Sequence, residues 1–171
     1  MDNQMLGIIN AGEENRRLQD LVRKRSLSAV PVGGRYRTID FLLSNMVNAG
    51  IRNIGILTRR NYDSRLKHVG SGKDWGLNRK RGGLYIFPPY ISGNSPSGEY
   101  ASVMDGLRGT ADFLKNAKEQ YVLLGRSYVV FNADFNDMLD KHIKSGADIS
   151  LMYFDNTNDP TNVDQDGVYM V

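Results

Sequence analysis

"TIDFLLSNMVNAGIRNIGILT" occupies residues 38–58, and two different periods meet in it. Ile39, Leu42, Leu43, Met46 and Val47 fall at i, i+3, i+4, i+7 and i+8. That spacing is one continuous apolar stripe, so the first half predicts a helix with one face on a core. Thr38 reads as its N-cap, Asp40 favours its first turn, and Gly50 suits the left-handed position that closes it. The helical period then stops. "NIGILT" (53–58) is apolar at its centre and too short for a helix, as in a strand of a parallel sheet covered on both faces.

The same alternation continues outward. "LGIIN" (6–10) is another short buried strand. Leu18 and Leu21 begin an Arg-rich amphipathic stretch. "VPVGGRY" (30–36) is a turn region punctuated by Gly33 and Gly34. Residues 69–83, "VGSGKDWGLNRKRGG", make a long basic Gly-rich loop, a length usually functional or mobile. "LYIFPPY" (84–90) is a strand ended by two prolines, and residues 91–99 are polar and expected to be flexible. Residues 100–119 predict a helix carrying Val103, Leu107, Phe113 and Leu114. "YVLLG" (121–125) is a strand, 135–145 a helix ended by Gly146, and "ADISLMYF" (147–154) the next strand. "GVYMV" (167–171) reads as the start of one more, without a natural terminal cap, so a fragment of a longer protein is expected. Strands and helices alternating at this spacing predict an α/β domain, its mostly parallel sheet covered by helices on both faces. Ligands of such sheets bind outside the carboxyl ends of the strands. The 11–17 loop, the 58–62 loop and the segment after 125 therefore form the candidate rim.

The 171 residues suffice for one compact domain. With no cysteine, disulfides and thiolate metal sites are excluded. No stretch has the length and apolarity of a membrane span or a signal peptide, so a cytoplasmic location is expected. The net charge of +3 conceals a division: residues 1–81 carry 16 Lys/Arg against 7 Asp/Glu, and residues 82–171 carry 6 against 12. A basic half favours an anionic partner, phosphates or nucleic acid, although charge alone is more often a solvated surface.

"INAGEENRRL" (9–18) lies where a phosphate-binding loop would lie. Such a loop needs glycines for close backbone approach and no negative charge of its own. Here Gly12 is followed at once by Glu13 and Glu14. On the residues alone, two glutamates are ordinary first-turn helix residues.

The run "RSLSAVPVGGRYRTIDFLLSNMVNAGI" (25–51) resembles the ADP-glucose pyrophosphorylases, the glucose-1-phosphate adenylyltransferases. Their signature there has the form R-A-K-P-A-V-P-x-G-G-x-Y-R-L-I-D-F-x-L-S-N-x-x-N-S-G-I. "LRGTAD" (107–112) is similar to the family's Y-R-G-T-A-D-A, and "HIKSGADISLM" (142–152) continues the likeness, which covers essentially the whole chain. The resemblance implies a Rossmann-like nucleotidyltransferase domain, truncated at its C-terminal end. Residues 1–171 would be its N-terminal part, with the remainder of the domain and a left-handed β-helix beyond it. The family joins ATP and glucose-1-phosphate into ADP-glucose and pyrophosphate with magnesium, in glycogen or starch synthesis. Such transfers rely on positioning and charge neutralisation.

Carried over position by position, the resemblance implies a degenerate site. The family loop A-G-G-x-G-T-R-L falls on Ala11–Leu18. Gly12 and Arg17 match, but Glu13 and Asn15 replace glycines, which repels phosphate and blocks close approach. Leu27 stands at the family's lysine of R-A-K-P. Without gaps, Tyr128 falls on the metal-binding aspartate, and a phenol is a poor magnesium ligand. A shifted alignment would put Asp134 there instead. Tyr90 lies near the position of an adenine-side glutamine. Arg35, Arg37, Gly109, Thr110 and Ala111 are retained, the last three as nucleotide-binding candidates with Gly12 and Arg17. Lys24 and Arg25 match a basic pair near the family's effector site.

The resemblance therefore implies a GlgD-type regulatory subunit with no catalytic residues and no metal of its own. It would have little or no activity alone, would form a hetero-oligomer with a catalytic subunit, and would keep the capacity to bind ATP or a sugar phosphate. An active nucleotidyltransferase that uses Asp134 for the metal is the alternative. A nucleic-acid module built on basic residues 59–81 ranks last, since only Tyr62, Trp75 and Tyr85 lie near as stacking platforms.

Overall fold

The computed structural model describes residues 4–12, 26–58, 68–79, 82–88, 103–153 and 168–170. Strand β1 (Met5–Asn10) is buried along its whole length. A short hairpin of β2 (Pro31–Val32) and β3 (Tyr36–Arg37) leads into helix α1 (Thr38–Asn48). Strands β4 (Asn53–Leu57) and β5 (Gly83–Phe87) precede two short helices, α2 (Val103–Gly109) and α3 (Ala111–Lys115). Then come β6 (Tyr121–Arg126), α4 (Phe135–Ser145), β7 (Ser150–Met152) and β8 (Val168–Met170). The main sheet runs β5-β4-β1-β6-β8-β7. Its first four strands are parallel, and β8 lies antiparallel to both β6 and β7.

Alternation along β1 divides the core between two faces. Met5 and Ile9 pack with Ile39, Leu42, Leu43 and Met46 of α1 and with Phe135, Met138 and Leu139 of α4. Leu6 and Ile8 point the other way, where Leu57, Phe87, Leu107, Phe113 and Leu114 join them. Helices therefore cover both faces, as the alternation of periods predicts. Close packing of α1 needs a bare backbone on β6: a Cβ at Gly125 would lie 2.9 Å from Leu42 Cδ2.

Several local expectations change. Arg37, not Thr38, is the N-cap of α1; it is extended, and its N–H donates to Asp40 Oδ2 at 2.9 Å. The Thr38 hydroxyl is drawn instead to the Leu27 carbonyl, at 2.7 Å. Gly50 takes the left-handed conformation expected of it, at φ 84°. The "VPVGGRY" turn region is the β2–β3 hairpin, pairing Pro31 with Arg37 and Val32 with Tyr36.

The long Gly-rich loop is a packed segment over residues 68–79. His68 and Val69 are helical, Lys73–Trp75 forms a 3-10 turn, and Val69 and Leu77 are buried. His68 Nε2 lies 2.8 Å from Asp40 Oδ1, and Trp75 Nε1 donates to Ser44 Oγ at 3.3 Å. Apolar anchors and α1 contacts thus order a segment whose composition reads as a loop. The helix expected over 100–119 is two helices that break at Thr110, whose hydroxyl turns back to the Leu107 carbonyl at 2.9 Å. Within the described part of the strand expected over 147–154, residues 147–153, the strand is Ser150–Met152. The stretch containing Leu18 and Leu21, and residues 91–99, lie outside the described residues. Among the described residues no helix is long and apolar enough to cross a membrane.

Candidate functional site

The four parallel strands end side by side, and hydroxyl side chains tie their ends together. Ala11 N donates to the Leu57 carbonyl at 2.9 Å. Thr58 donates from both N (3.1 Å) and Oγ1 (2.9 Å) to the Phe87 carbonyl. Ser127 does the same to the Asn10 carbonyl, from N at 3.1 Å and from Oγ at 3.2 Å. Thr58 and Ser127 are each 1% exposed. Carbonyls at a strand end would otherwise be left unsatisfied on burial, and these ties make the rim a defined surface.

Two side chains stand next to each other on that rim. The register pairs Asn10 of β1 with Arg126 of β6. Leu6 and Ile8 on β1, and Val122 and Leu124 on β6, belong to the α2/α3 face. Continuing the alternation puts Asn10 and Arg126 on that same face, at its carboxyl edge. Asn10 Oδ1 accepts the Gly12 N–H at 3.2 Å, so the one glycine amide of this loop's start is bound to its own chain. Arg126 Nη1 donates to the Tyr128 hydroxyl at 3.1 Å.

This donor set is a poor match for magnesium, which takes a regular shell of oxygens including carboxylates. Among the described residues the end of β6 offers a phenol and a guanidinium hydrogen-bonded to each other, neither of them a carboxylate oxygen. Asp134 is exposed and N-caps α4, where its Oδ1 accepts the Asn136 N–H at 2.9 Å. Among the described residues no three His, Cys, Asp or Glu side chains cluster as a metal site.

Leu27 is 6% exposed, in the 3-10 turn Leu27–Ala29. Its carbonyl is held by Val30 N at 3.0 Å as well as by Thr38. A buried leucine offers phosphate no charge. Gly109 ends α2, Ala111 begins α3, and Thr110 between them is 1% exposed. This junction belongs to the helices on the same face as Arg126. Arg35 is exposed in the hairpin turn. Glu13, Glu14, Asn15, Arg17, Lys24, Arg25 and Tyr90, together with residues 59–62 of the expected rim, lie outside the described residues. Sequence reasoning missed Asn10, Arg126 and Ser127. The available signal was position: Arg126 directly follows "YVLLG", at the end of a central strand where ligands bind.

The nucleotidyl transferase family profile (NTP_transferase) matches residues 6–162. The chain belongs to that family. Within it, the chain is similar to the glycogen biosynthesis protein GlgD of Geobacillus stearothermophilus, 40% identical over 153 residues, covering 88% of this chain and 43% of that protein. The GlgD protein of Bacillus subtilis is also 40% identical, over 90% of this chain and 44% of the relative. A glucose-1-phosphate adenylyltransferase of Pseudothermotoga lettingae is 36% identical, over 93% of this chain and 37% of the relative. The chain thus spans about two fifths of the length of these curated relatives. A nucleotidyl transferase fold also appears in the structural likeness. A crystal structure from Bacillus anthracis, assigned as a glucose-1-phosphate thymidylyltransferase in complex with a sucrose, superposes with a TM-score of 0.64. It covers 86% of this chain and 53% of that one at 19% identity, a likeness of fold alone.

Proposed function

We propose that this chain is the N-terminal part of the nucleotidyltransferase domain of a regulatory subunit of glucose-1-phosphate adenylyltransferase, acting in glycogen biosynthesis. The observation that carries the reading is the end of β6, where the family's metal position is held by Tyr128, hydrogen-bonded to Arg126, and among the described residues no three His, Cys, Asp or Glu side chains cluster as a metal site. Buried Leu27 supports it, because a cation is missing where phosphate charge would need one. So does the similarity to two GlgD proteins ahead of the adenylyltransferases. A subunit that keeps its fold without the metal and lysine positions acts through contact with an active relative, by a coupling free energy between sites. The expected assembly is a cytoplasmic hetero-oligomer with a catalytic subunit, and the expected continuation beyond residue 171 is the rest of the domain and a β-helix. The alternative, an active enzyme with its metal on Asp134, is disfavoured because that carboxylate caps α4.

The test is synthesis of ADP-glucose by the full-length protein, by a catalytic glucose-1-phosphate adenylyltransferase, and by the two mixed. Negligible turnover alone, with a changed rate or effector response in the mixture, is expected. Robust turnover by this protein alone would refute the regulatory reading, and so would a mixture that neither associates nor changes in rate.

A further inference from the structure

We propose that β7, the outer strand of the main sheet, is a docking surface for chain that follows residue 171 in the full-length protein, which packs on Ile149, Leu151 and Tyr153. The inference rests on reading residues 1–171 as the N-terminal part of a longer domain and adds where the rest attaches.

The two faces of this strand are used in the opposite way from a solvated edge. An antiparallel strand with one face in water carries polar residues on that face and apolar ones toward the core. Here Ser150 turns to α4, where its Oγ lies 2.8 Å from Nδ1 of buried His142, and Met152 packs against the core on that side. Alternation then carries Ile149, Leu151 and Tyr153 to the other face. The register agrees: Leu151 stands opposite Tyr169 of β8, Tyr169 stands opposite Leu124 of β6, and Leu124 belongs to the α2/α3 face. Nearer the centre of the sheet, Leu107, Phe113 and Leu114 cover that face. Among the described residues the cover gives out at β7, where Leu151 is 50% exposed, Ile149 61% and Tyr153 73%. Three large apolar side chains at alternate positions form the kind of patch that marks an interaction surface. They lie on the outermost strand of the sheet, where an exposed apolar edge invites pairing with further chain.

The length of the relatives decides the occupant. The two GlgD relatives are matched over 43% and 44% of their own length, and the structural relative over 53%, so a large remainder of each lies outside the matched part. Strand β8 lies between β6 and β7, so chain that follows it starts one strand away from this face. Such a tethered segment docks at an effective concentration of about millimolar, whereas a second copy must be recruited from solution.

The test uses the full-length protein. Residues 1–171 contain no cysteine, so Leu151→Cys and Tyr153→Cys are made separately and their reaction with a maleimide is followed against the unsubstituted protein, natively and in urea. Native labelling of Leu151→Cys is expected to be slowed about a hundredfold or more, the protection of a side chain reached only through local opening. Tyr153→Cys carries the test should Leu151→Cys not fold. Labelling as fast in the native state as in urea would overturn the proposal. The occupant is identified by placing the photo-cross-linking residue p-benzoylphenylalanine at position 153 and mapping the linked peptides. A link to a peptide beyond residue 171 of the same chain is expected; a link to residues 154–167 or to a second chain would overturn the proposal. Neither readout depends on turnover, so the regulatory reading stands or falls separately, on the rate of the mixed subunits.

Discussion

Leu27→Lys restores the side chain that the family resemblance places at this position, and the structure predicts that it costs stability. Leu27 is 6% exposed, so nearly all its side chain is out of water. Burying a leucine contributes about 1.5–3 kcal/mol relative to leaving it exposed. The backbone has little room to turn the new side chain outward, since the Leu27 carbonyl accepts from both Thr38 Oγ1 (2.7 Å) and Val30 N (3.0 Å). A lysine stem can keep part of the apolar contact by snorkelling, and only the ammonium then needs to reach water. The net loss is therefore about 1–3 kcal/mol. For a domain of this size each kcal/mol lowers the midpoint by roughly 2–4 °C, which gives a fall of about 2–12 °C. Circular dichroism through a thermal ramp reads the midpoint, and calorimetric titration with magnesium-ATP reads any binding gained. The reasoning predicts a lower midpoint and no new magnesium-dependent affinity. An unchanged midpoint together with tight magnesium-ATP binding would refute it, because Leu27 would then occupy an open position facing the nucleotide.

Tyr128→Asp is expected to give no magnesium-dependent ADP-glucose synthesis, because buried Leu27 still supplies no cation for the phosphates; detectable turnover in the single variant would count against this. Adding Leu27→Lys with Glu13→Gly and Asn15→Gly should yield more product than the sum of the single changes, since catalytic groups act as a unit. Asp134→Ala should cost about 0.5–2 kcal/mol in urea unfolding through loss of the α4 cap and leave phosphate binding unchanged; lost binding at unchanged stability would return Asp134 to the site. Gly125→Ala should destabilise by about 1–3 kcal/mol as the new methyl meets Leu42, and an unaltered unfolding midpoint would show that α1 stands farther from β6. His68→Ala removes the bond to Asp40, an acceptor that is 7% exposed, and should cost about 1.5–3 kcal/mol; hydrogen exchange over residues 68–79 should quicken, and unchanged protection would show that the apolar anchors suffice.

The sequence by itself determined the elements that bury one continuous stripe or run. The stripe from Ile39 to Val47 and the runs at 6–10, 53–57 and 121–125 specify α1 and three central strands, because burial forces the period of the apolar residues to match the period of the backbone. The match to the nucleotidyl transferase family was also legible there, carried by short motifs that the fold spaces apart. The substitutions at Leu27 and Tyr128 could be seen, but not what they do. Only the tertiary structure brought Arg126 beside Asn10, through a register between strands more than a hundred residues apart in the chain. It also chose Arg37 over Thr38 as the cap, since the Thr38 hydroxyl had a partner eleven residues upstream, and it ordered residues 68–79 by seating His68 and Trp75 on α1. These are pairings between distant residues, and neither local propensity nor periodicity encodes which distant group a side chain will meet.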